Sequence, residues 1–441
     1  MGTTLLHVCP DSTATLFGIA GLEVLEVDED QAGVTVLVQT PEELVGCAGC
    51  GVVATGNGRR RQVFRDVPRG STPVRVVWSK RRWRCGESDC VVKSWTEVCH
   101  GLPGRASLTL RAQIWCCVQV GREVRTVAAV ARDLAVSWHT VMAAVRVHGR
   151  PLVDDPARLA GVSAIGVDEH AWQRANALRR TGYATSIVNL SARPARLLDV
   201  VQGRSGTVLA TWLECRTQAW RDGIKVAALD PFRGYANALA TCLPGAVRVL
   251  DAFHVVQLGI AVIDEVRRRV QQEQLGRRGH KQDPLYRIRR LLTRDPATLT
   301  DRHLSKLDDA LALGDPDGIV QIAWKAVNKM AQTYRADNPT ARLAAATWAL
   351  DALYTCPIPE VARLGRTLRA WRSEFLAYHS TGRASNGPTE ATNLVIERNR
   401  RLAHGYRNFT NYRLRLLLHS GITWAPRPAL PIRTRQTPSA A

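Results

Sequence analysis

The chain has 441 residues, 45% hydrophobic and 22% charged, a composition typical of globular proteins with about two to four domains. Lys and Arg number 60 against 39 Asp and Glu, and the net charge of +21 predicts a polyanionic partner, most plausibly nucleic acid. The sequence has neither a long apolar run nor a secretory-signal pattern, so it excludes a membrane protein and predicts a cytoplasmic one.

Two cysteine pairs in the N-terminal region, residues 1–100, have the spacing of zinc knuckles. One pair is C-x2-C and the other is C-x4-C, and the sequence between them is strand-like; the four residues are Cys47, Cys50, Cys85 and Cys90. Four thiolates in this arrangement favour one tetrahedral, structural zinc ion over four unrelated thiols. We therefore predict a zinc ribbon at about 45–95, with Cys99 and His100 outside the paired pattern.

Basic and aromatic residues are interleaved on the predicted ribbon. The basic residues proposed to contact DNA are Lys80, Arg81, Arg82 and Arg84, and Trp78 and Trp83 lie among them. This composition favours contact with DNA phosphates, and a solvated charged face is the alternative.

Residues 101–150 have the pattern of a helix-turn-helix. One amphipathic helix is predicted over 123–134, and a second, capped by Ser137, runs from Trp138 to about His148. The second helix would contact DNA through Trp138, His139, Thr140 and Arg146, although many helical hairpins bind no DNA. Cys116 and Cys117 are predicted to be core residues, and 151–159 a linker.

The next segment, 160–258, predicts three strands at 163–167, 183–190 and 195–201, then a helix, a strand ending in Asp230, a helix, and a strand ending in Asp251. This succession is typical of a ribonuclease-H-like domain. In that layout the first and fourth strands end side by side, which would bring Asp168 and Asp230 together. The fold class is therefore multidomain α/β, with a zinc ribbon, a helix-turn-helix and a ribonuclease-H-like domain.

Asp230 also has a structural interpretation. It precedes Pro231, and Asp before Pro is a common helix N-cap, so Pro231 is predicted to open the helix. Ligands of open α/β sheets gather at the carboxyl ends of strands, so the same residue is placed for metal binding. The two roles do not exclude each other.

Residues 259–380 predict an all-helical insertion, and 381–425 predict helices that complete the catalytic domain. There, Ser385-Asn386-Gly387-Pro388 forms a turn before a helix that carries Glu390, Asn393 and Glu397 on one face. A basic run follows, and its arginines predicted to lie along DNA phosphates are Arg398, Arg400, Arg401 and Arg407. Residues 426–441 are expected to be a disordered tail.

Four segments resemble the catalytic-domain signatures of the ISL-three family of bacterial insertion-sequence transposases. They read GVDEHAW, ALDPFRGYANAL, LPGAVRVLDAFHVVQL and SNGPTEATNLVIERNRRLAHGYRNFTNYRLRLLL. The order of ribbon and helix-turn-helix also resembles that family, over about residues 45–420. The resemblance implies a DDE transposase that binds the terminal inverted repeats of its own element.

The resemblance makes Asp168 and Glu390 the first and third catalytic carboxylates, with Glu397 a less favoured third. Strand order selects Asp230 as the second, rather than Asp251. Asp251 and His254 then form a pair that positions the substrate or a ligand. Asn393 has a positioning role of the same kind.

Three carboxylates, Asp168, Asp230 and Glu390, are expected to hold two Mg²⁺ or Mn²⁺ ions roughly 4 Å apart for cleavage and joining at phosphorus. The expected partners are double-stranded DNA, at the element ends and at the target, and a second copy of the chain in a homodimer or larger assembly on DNA. The alternatives are a non-catalytic DNA-binding regulator derived from a transposase and a structure-specific repair nuclease.

Overall fold

The computed structural model describes residues 17–177 and 179–425, so the predicted tail at 426–441 lies outside the described residues. The chain divides into two compact units, one ending at Asp155 and completed by the segment from Leu414, the other spanning Pro156–Arg413. The fold is mixed α/β, with a cysteine cluster near the N-terminus and a largely helical C-terminal part. None of the described helices combines the length and apolar character needed to cross a bilayer.

The first unit contains a five-stranded sheet of order β1-β2-β4-β3, with β5 paired to β4. Its strands are β1 (Glu23–Asp30), β2 (Gly33–Gln39), β3 (Thr55–Arg69), β4 (Thr72–Arg84) and β5 (Ser94–Thr96). On β4, Val74, Val76 and Trp78 alternate with more exposed residues and are buried. This period of two gives the sheet one apolar face, which forms the core of the unit.

Three helices follow in the first unit: α1 (Leu110–Cys117), α2 (Val127–Asp133) and α3 (Trp138–Val153). The predicted helix over 123–134 begins later than expected, because Val124 has a φ of 59° and Thr126 is the N-cap. Ser137 caps α3, as predicted. The predicted linker at 151–159 is wrong in part, since α3 runs to Val153 and Pro156–Leu159 forms a 3₁₀ turn.

The second unit is built on a five-stranded sheet of order β10-β9-β6-β7-β8. Its strands are β6 (Ala164–Gln173), β7 (Gly182–Asn189), β8 (Arg196–Gln202), β9 (Val226–Leu229) and β10 (Val247–Leu250). The first three strands are antiparallel, and β9 and β10 run parallel to β6. The first and fourth strands of the unit are therefore neighbours, and β6 extends beyond the predicted end at Val167.

Helices cover this sheet and form most of the chain after it. They are α4 (Gly206–Glu214), α5 (Gln218–Gly223), α6 (Arg233–Cys242), α7 (Ala252–Leu275), α8 (Pro284–Arg287), α9 (Asp301–Gly314), α10 (Ile319–Arg335), α11 (Pro339–Ala352), α12 (Pro359–Ala370), α13 (Arg372–Ser380), α14 (Gly387–Leu402) and α15 (Phe409–Ser420). One continuous apolar core joins the sheet to the helices between α7 and α13. The helical region therefore packs as part of the second unit.

Candidate active site and metal centre

Strand pairing brings Asp168 and Asp230 together. The parallel register of β6 and β9 ends at the pair Val167 and Leu229, and Asp168 and Asp230 are the next residues along the chain. Asp168 lies within β6 and not at its end, because β6 continues there in antiparallel pairing with β7. The proximity has an electrostatic effect, since burial and then the Asp168 carboxylate raise the pKa of Asp230 to about 8.

Asp251, and not Asp230, caps a helix. Its Oδ2 accepts from the backbone N–H of His254 at 3.0 Å, and its Oδ1 accepts from the backbone N–H of Asn386 at 2.8 Å. The helix after Asp230 begins only at Arg233, its N-cap is Phe232, and that cap makes no side-chain hydrogen bond. The predictions that Pro231 opens this helix and that Asp230 caps it are therefore wrong, because residues 230–232 form a turn first.

The His254 imidazole is surrounded by three carboxylates. Its Nδ1 lies 3.1 Å from Asp230 Oδ1, 3.1 Å from Asp251 Oδ2 and 3.6 Å from Glu390 Oε1. The hydrogen bond with Asp251 is the main cause that raises the pKa of His254 to about 9. At neutral pH an imidazolium therefore stands among acidic groups and offsets part of their repulsion.

Helix α14 packs closely on β6, and this packing places Glu390 at the carboxylate cluster. A Cβ on Gly166 would lie 2.0 Å from Thr389 Oγ1 and 2.5 Å from Asn386 Oδ1, so only glycine admits the start of the helix here. The fully buried Asn386 donates through Nδ2 to the carbonyl of Val167 at 2.9 Å and to Asp230 Oδ1 at 3.3 Å. Sequence reasoning missed this role, although Asn386 stood in the turn that it singled out.

Asn393 and Glu397 lie on the same face of α14 but form hydrogen bonds with different residues. Asn393 Nδ2 donates to Asp168 Oδ2 at 2.7 Å, and Asn393 Oδ1 accepts from Ser186 Oγ at 2.8 Å. Glu397 instead accepts hydrogen bonds from Arg400 and Arg401, and the bond from Arg400 is the main cause that lowers its pKa to about 2. Glu397 is thus tied into an arginine cluster, while Asn393 orients Asp168.

The donor set suits a hard divalent cation. Burial and the neighbouring Asp251 raise the pKa of Glu390 to about 7, and its Oε1 is buried without a hydrogen-bond partner. One carboxylate oxygen of Asp230 and one of Asp251 lie within 4.8 Å of each other and of a His254 ring nitrogen. Crowded carboxylates with raised pKa values and an unsatisfied oxygen are what Mg²⁺ or Mn²⁺ would neutralise, and oxygen ligands are the type these ions prefer.

The four ribbon cysteines converge in the first unit. The Sγ atoms of Cys47 and Cys90 are 3.6 Å apart, those of Cys50 and Cys85 are 3.4 Å apart, and all four lie within 4.8 Å of one another. A tetrahedron with zinc–sulfur bonds of about 2.3 Å has sulfur–sulfur edges of about 3.8 Å. A disulfide would instead need about 2.05 Å. The cluster therefore fits one structural zinc ion.

Other cysteines lie elsewhere. Cys99 belongs to the separate apolar core around Trp78, and His100 is exposed. Cys116 and Cys117 are buried in α1, where burial raises the pKa of Cys116 to about 12 and of Cys117 to about 11. Both remain core thiols, as predicted.

The predicted DNA-contacting residues of the ribbon differ in their exposure to solvent. Arg82 and Arg84 are exposed, and Lys80 lies over the Trp78 ring at 4.6 Å. Arg81 is only 8% exposed and donates to the carbonyls of Pro41 at 2.9 Å and Thr40 at 3.1 Å. The Arg81 guanidinium is therefore bonded to backbone carbonyls within the first unit, and its contact with DNA stays a prediction.

The predicted contacts on helices are mostly accessible. Trp138 and His139 are exposed at the start of α3, where Thr140 bonds to the Ser137 hydroxyl at 2.9 Å. In and after α14, Arg398 and Arg407 are exposed, whereas Arg400 and Arg401 are ion-paired with Glu397.

Two family models match the chain. One, described as transposase and specific to the ISL-three (ISL3) DDE type, matches residues 165–416, which is more than half of the chain. The other, described as zinc-finger of transposase IS204/IS1001/IS1096/IS1165, matches residues 43–90 and contains all four clustered cysteines. No curated protein matches the chain.

Proposed function

The chain belongs to the ISL-three family of transposases, and we propose that it binds the terminal inverted repeats of its insertion sequence and performs metal-dependent DNA strand cleavage and strand transfer. The observation that carries the catalytic part is the adjacency of Asp168 and Asp230 at the end of the β6–β9 register, with Glu390 and Asp230 both close to the same His254 nitrogen. The strand order supports a ribonuclease-H-like assignment for the second unit.

Asp168, Asp230 and Glu390 are the proposed catalytic carboxylates. Asp230 is favoured over Asp251 because the Asp230 side chain is 16% exposed and caps no helix. Asp251 is 1% exposed, and both of its oxygens already accept hydrogen bonds from within the protein. Glu390 is favoured over Glu397, whose carboxylate is neutralised by arginines.

The remaining polar residues have positioning roles in this proposal. Asn393 fixes one oxygen of Asp168, and Asn386 holds Asp230 against β6. His254 lies between Asp230 and Glu390, with one ring nitrogen close to both carboxyl groups. Divalent ions bound by the carboxylates would activate the attacking water or 3′-hydroxyl and stabilise the leaving oxygen.

DNA recognition is assigned to three surfaces. The ribbon would contribute Lys80, Arg82 and Arg84, and the helical hairpin α2–α3, proposed as a helix-turn-helix, would contribute Trp138, His139 and Thr140. The third surface is a cavity of about 290 Å³ whose lining includes Arg174, Arg179, Arg400 and Arg401. Four guanidinium groups around one cavity favour phosphate contacts.

The finer organisation is also part of the proposal. The domains are the ribbon region to residue 100, the helix-turn-helix at 101–150, the catalytic parts at 160–258 and 381–425, and the helical insertion at 259–380. We propose that the protein acts in the cytoplasm, as a homodimer or larger assembly on DNA, with one structural Zn²⁺ and two Mg²⁺ or Mn²⁺ per chain.

The test is cleavage of a labelled duplex that contains the element end and flanking DNA, with Mg²⁺ and with Mn²⁺. We expect a cut at the element boundary and joining of the released 3′-hydroxyl to a second duplex. Binding to the ends without cleavage in either ion would favour the non-catalytic regulator. Cutting without preference for the ends would favour a repair nuclease.

A further inference from the structure

The sequence Leu-Asp-x-Phe occurs twice, at the ends of the two neighbouring parallel strands β9 and β10. It reads Leu229-Asp230-Pro231-Phe232 and then Leu250-Asp251-Ala252-Phe253. Leu229 and Leu250 are register partners on strands that lie about 4.8 Å apart. Phe232 and Phe253 therefore stand at the same distance along the chain from an aspartate of the acidic cluster, Phe232 as the N-cap of α6 and Phe253 in the first turn of α7.

Both phenylalanine side chains are exposed, unlike others in the chain. Phe232 is 40% exposed and Phe253 is 51% exposed, whereas Phe64 and Phe375 are fully buried. A single exposed apolar residue needs no explanation, but here two exposed rings each lie two residues after an aspartate of the acidic cluster.

Neighbouring groups hold the two rings in place. A Cβ on Gly234 would stand 2.5 Å from Cε1 of Phe232, so the glycine makes room for that ring. Phe232 also packs edge-on against Tyr235 at 4.9 Å, and Phe253 packs edge-on against His254 at 5.7 Å. The rings are therefore supported, and their exposed area does not come from loose loops.

The charge of the cluster limits how DNA can be held there. Among the described residues, every ion pair of Asp230, Asp251 and Glu390 is made with His254. No arginine or lysine of the described chain is paired to these carboxylates, so none of them offers a guanidinium or ammonium group there to hold phosphate. Stacking of a nucleobase on an aromatic ring does not depend on such a cation.

We propose that Phe232 and Phe253 form an aromatic platform that stacks unpaired nucleobases next to the scissile phosphate. The substrate at the cleavage position is then locally opened DNA, not a fully paired duplex. This inference rests on the proposed strand cleavage and adds the form of DNA that the site takes.

The direct test is photocrosslinking of the full-length protein to an element-end duplex with 5-iodouracil at the cleavage position. We expect crosslinks at Phe232 or Phe253, mapped by mass spectrometry, and their loss in the Phe232→Ala/Phe253→Ala double variant. Leu313→Ala, which removes a 78% exposed apolar side chain of α9, is the matched control and should crosslink as the wild type does.

Cleavage rates give the second readout. The double variant should cut the paired duplex at least about tenfold more slowly, since it can no longer stack the unpaired bases at the cleavage position. A mismatch at the cleavage position should restore most of the rate, and Phe232→Tyr/Phe253→Tyr should retain it.

The two proposals fail in different ways. A double variant that crosslinks and cleaves as the wild type does, or wild-type crosslinks that map only elsewhere, would overturn the platform and leave strand cleavage standing. Wild-type crosslinks at either phenylalanine without any cleavage would support the platform and overturn the proposed reaction.

Discussion

Asp230 and Asp251 follow register-paired leucines on adjacent parallel strands, yet only Asp251 is engaged as a helix cap. The difference arises after the strands end. The chain turns once at 230–232 before α6, whereas α7 starts directly after Asp251. The Asp251 carboxylate thereby caps a helix, and the Asp230 carboxylate does not.

This difference predicts unequal effects of the two isosteric substitutions. Asp230→Asn removes a charge from the proposed metal site and should reduce strand cleavage to background while specific DNA binding persists. Asp251→Asn should be milder, about 10-fold to 100-fold slower, because its partner groups position the site without reacting. The measurement is the rate of strand cleavage by each variant in Mg²⁺ and in Mn²⁺. Asp317→Asn, which changes an exposed aspartate, is the control. An inactive Asp251→Asn beside an active Asp230→Asn would reverse the assignment.

The raised pKa values predict how stability depends on pH. Burial and Asp168 raise the pKa of Asp230 from 3.8 to about 8, and the bond with Asp251 raises that of His254 from 6.5 to about 9. For both groups the folded state binds protons more tightly than the unfolded state, so their contribution to stability is largest at low pH and is lost as pH rises.

We therefore expect the melting temperature of the metal-free protein to fall from about pH 5 to about pH 8, and to fall less in Asp230→Asn. Saturating Mg²⁺ competes with these protons and should raise the wild-type melting temperature more at the higher pH. Differential scanning calorimetry at both pH values measures this. Equal stabilisation by Mg²⁺ at the two pH values would argue against binding at these carboxylates.

The cysteine geometry predicts one zinc ion per chain. Cys85→Ser removes a thiolate ligand and should lower zinc content, the stability of the first unit, and DNA binding. Cys215→Ser, which changes an exposed cysteine in the second unit, should keep all three. Elemental analysis of freshly purified protein measures the zinc content. Absence of zinc from the wild type would contradict the assignment of a zinc ion to the ribbon.

Arg81 and Arg82 are neighbours in sequence and should behave differently. Arg82→Ala removes an exposed charge, so DNA binding should weaken and the slope of log affinity against log salt should decrease by about one, with the fold unchanged. Arg81→Ala leaves the carbonyls of Thr40 and Pro41 without their donor and should instead lower the melting temperature. Titrations at several salt concentrations and thermal unfolding separate the two. A smaller salt slope for Arg81→Ala in a fully stable protein would return Arg81 to the DNA surface.

Local sequence patterns were sufficient where a residue's role depends on its own strand or helix. The cysteine spacing, the strands before Asp230 and Asp251, and the Ser137 cap could all be predicted, because each depends on residues close in sequence. The helix start after Pro231 could not, since an Asp-Pro pair fits both a helix cap and a turn.

Other features depend on contacts between distant parts of the chain. Asn386 supports Asp230 across 156 residues of sequence, and Gly166 is needed because α14 packs directly on β6. Arg81 donates to carbonyls of a preceding loop, a contact that composition alone does not predict. Such roles follow from tertiary packing between residues that are distant in sequence. A local sequence pattern therefore does not predict them.

The segment from Leu414 completes the first unit, and this fixes an order of events during synthesis. Leu418 fills space left by two glycines, where a Cβ on Gly121 or Gly149 would each approach it to 2.9 Å. Trp424 closes the segment by donating to the Leu418 carbonyl at 2.8 Å. A ribosome must therefore release the chain through Trp424 before the first unit can finish folding. We infer that a nascent or prematurely terminated chain lacks a complete first unit, whatever the state of its sheet.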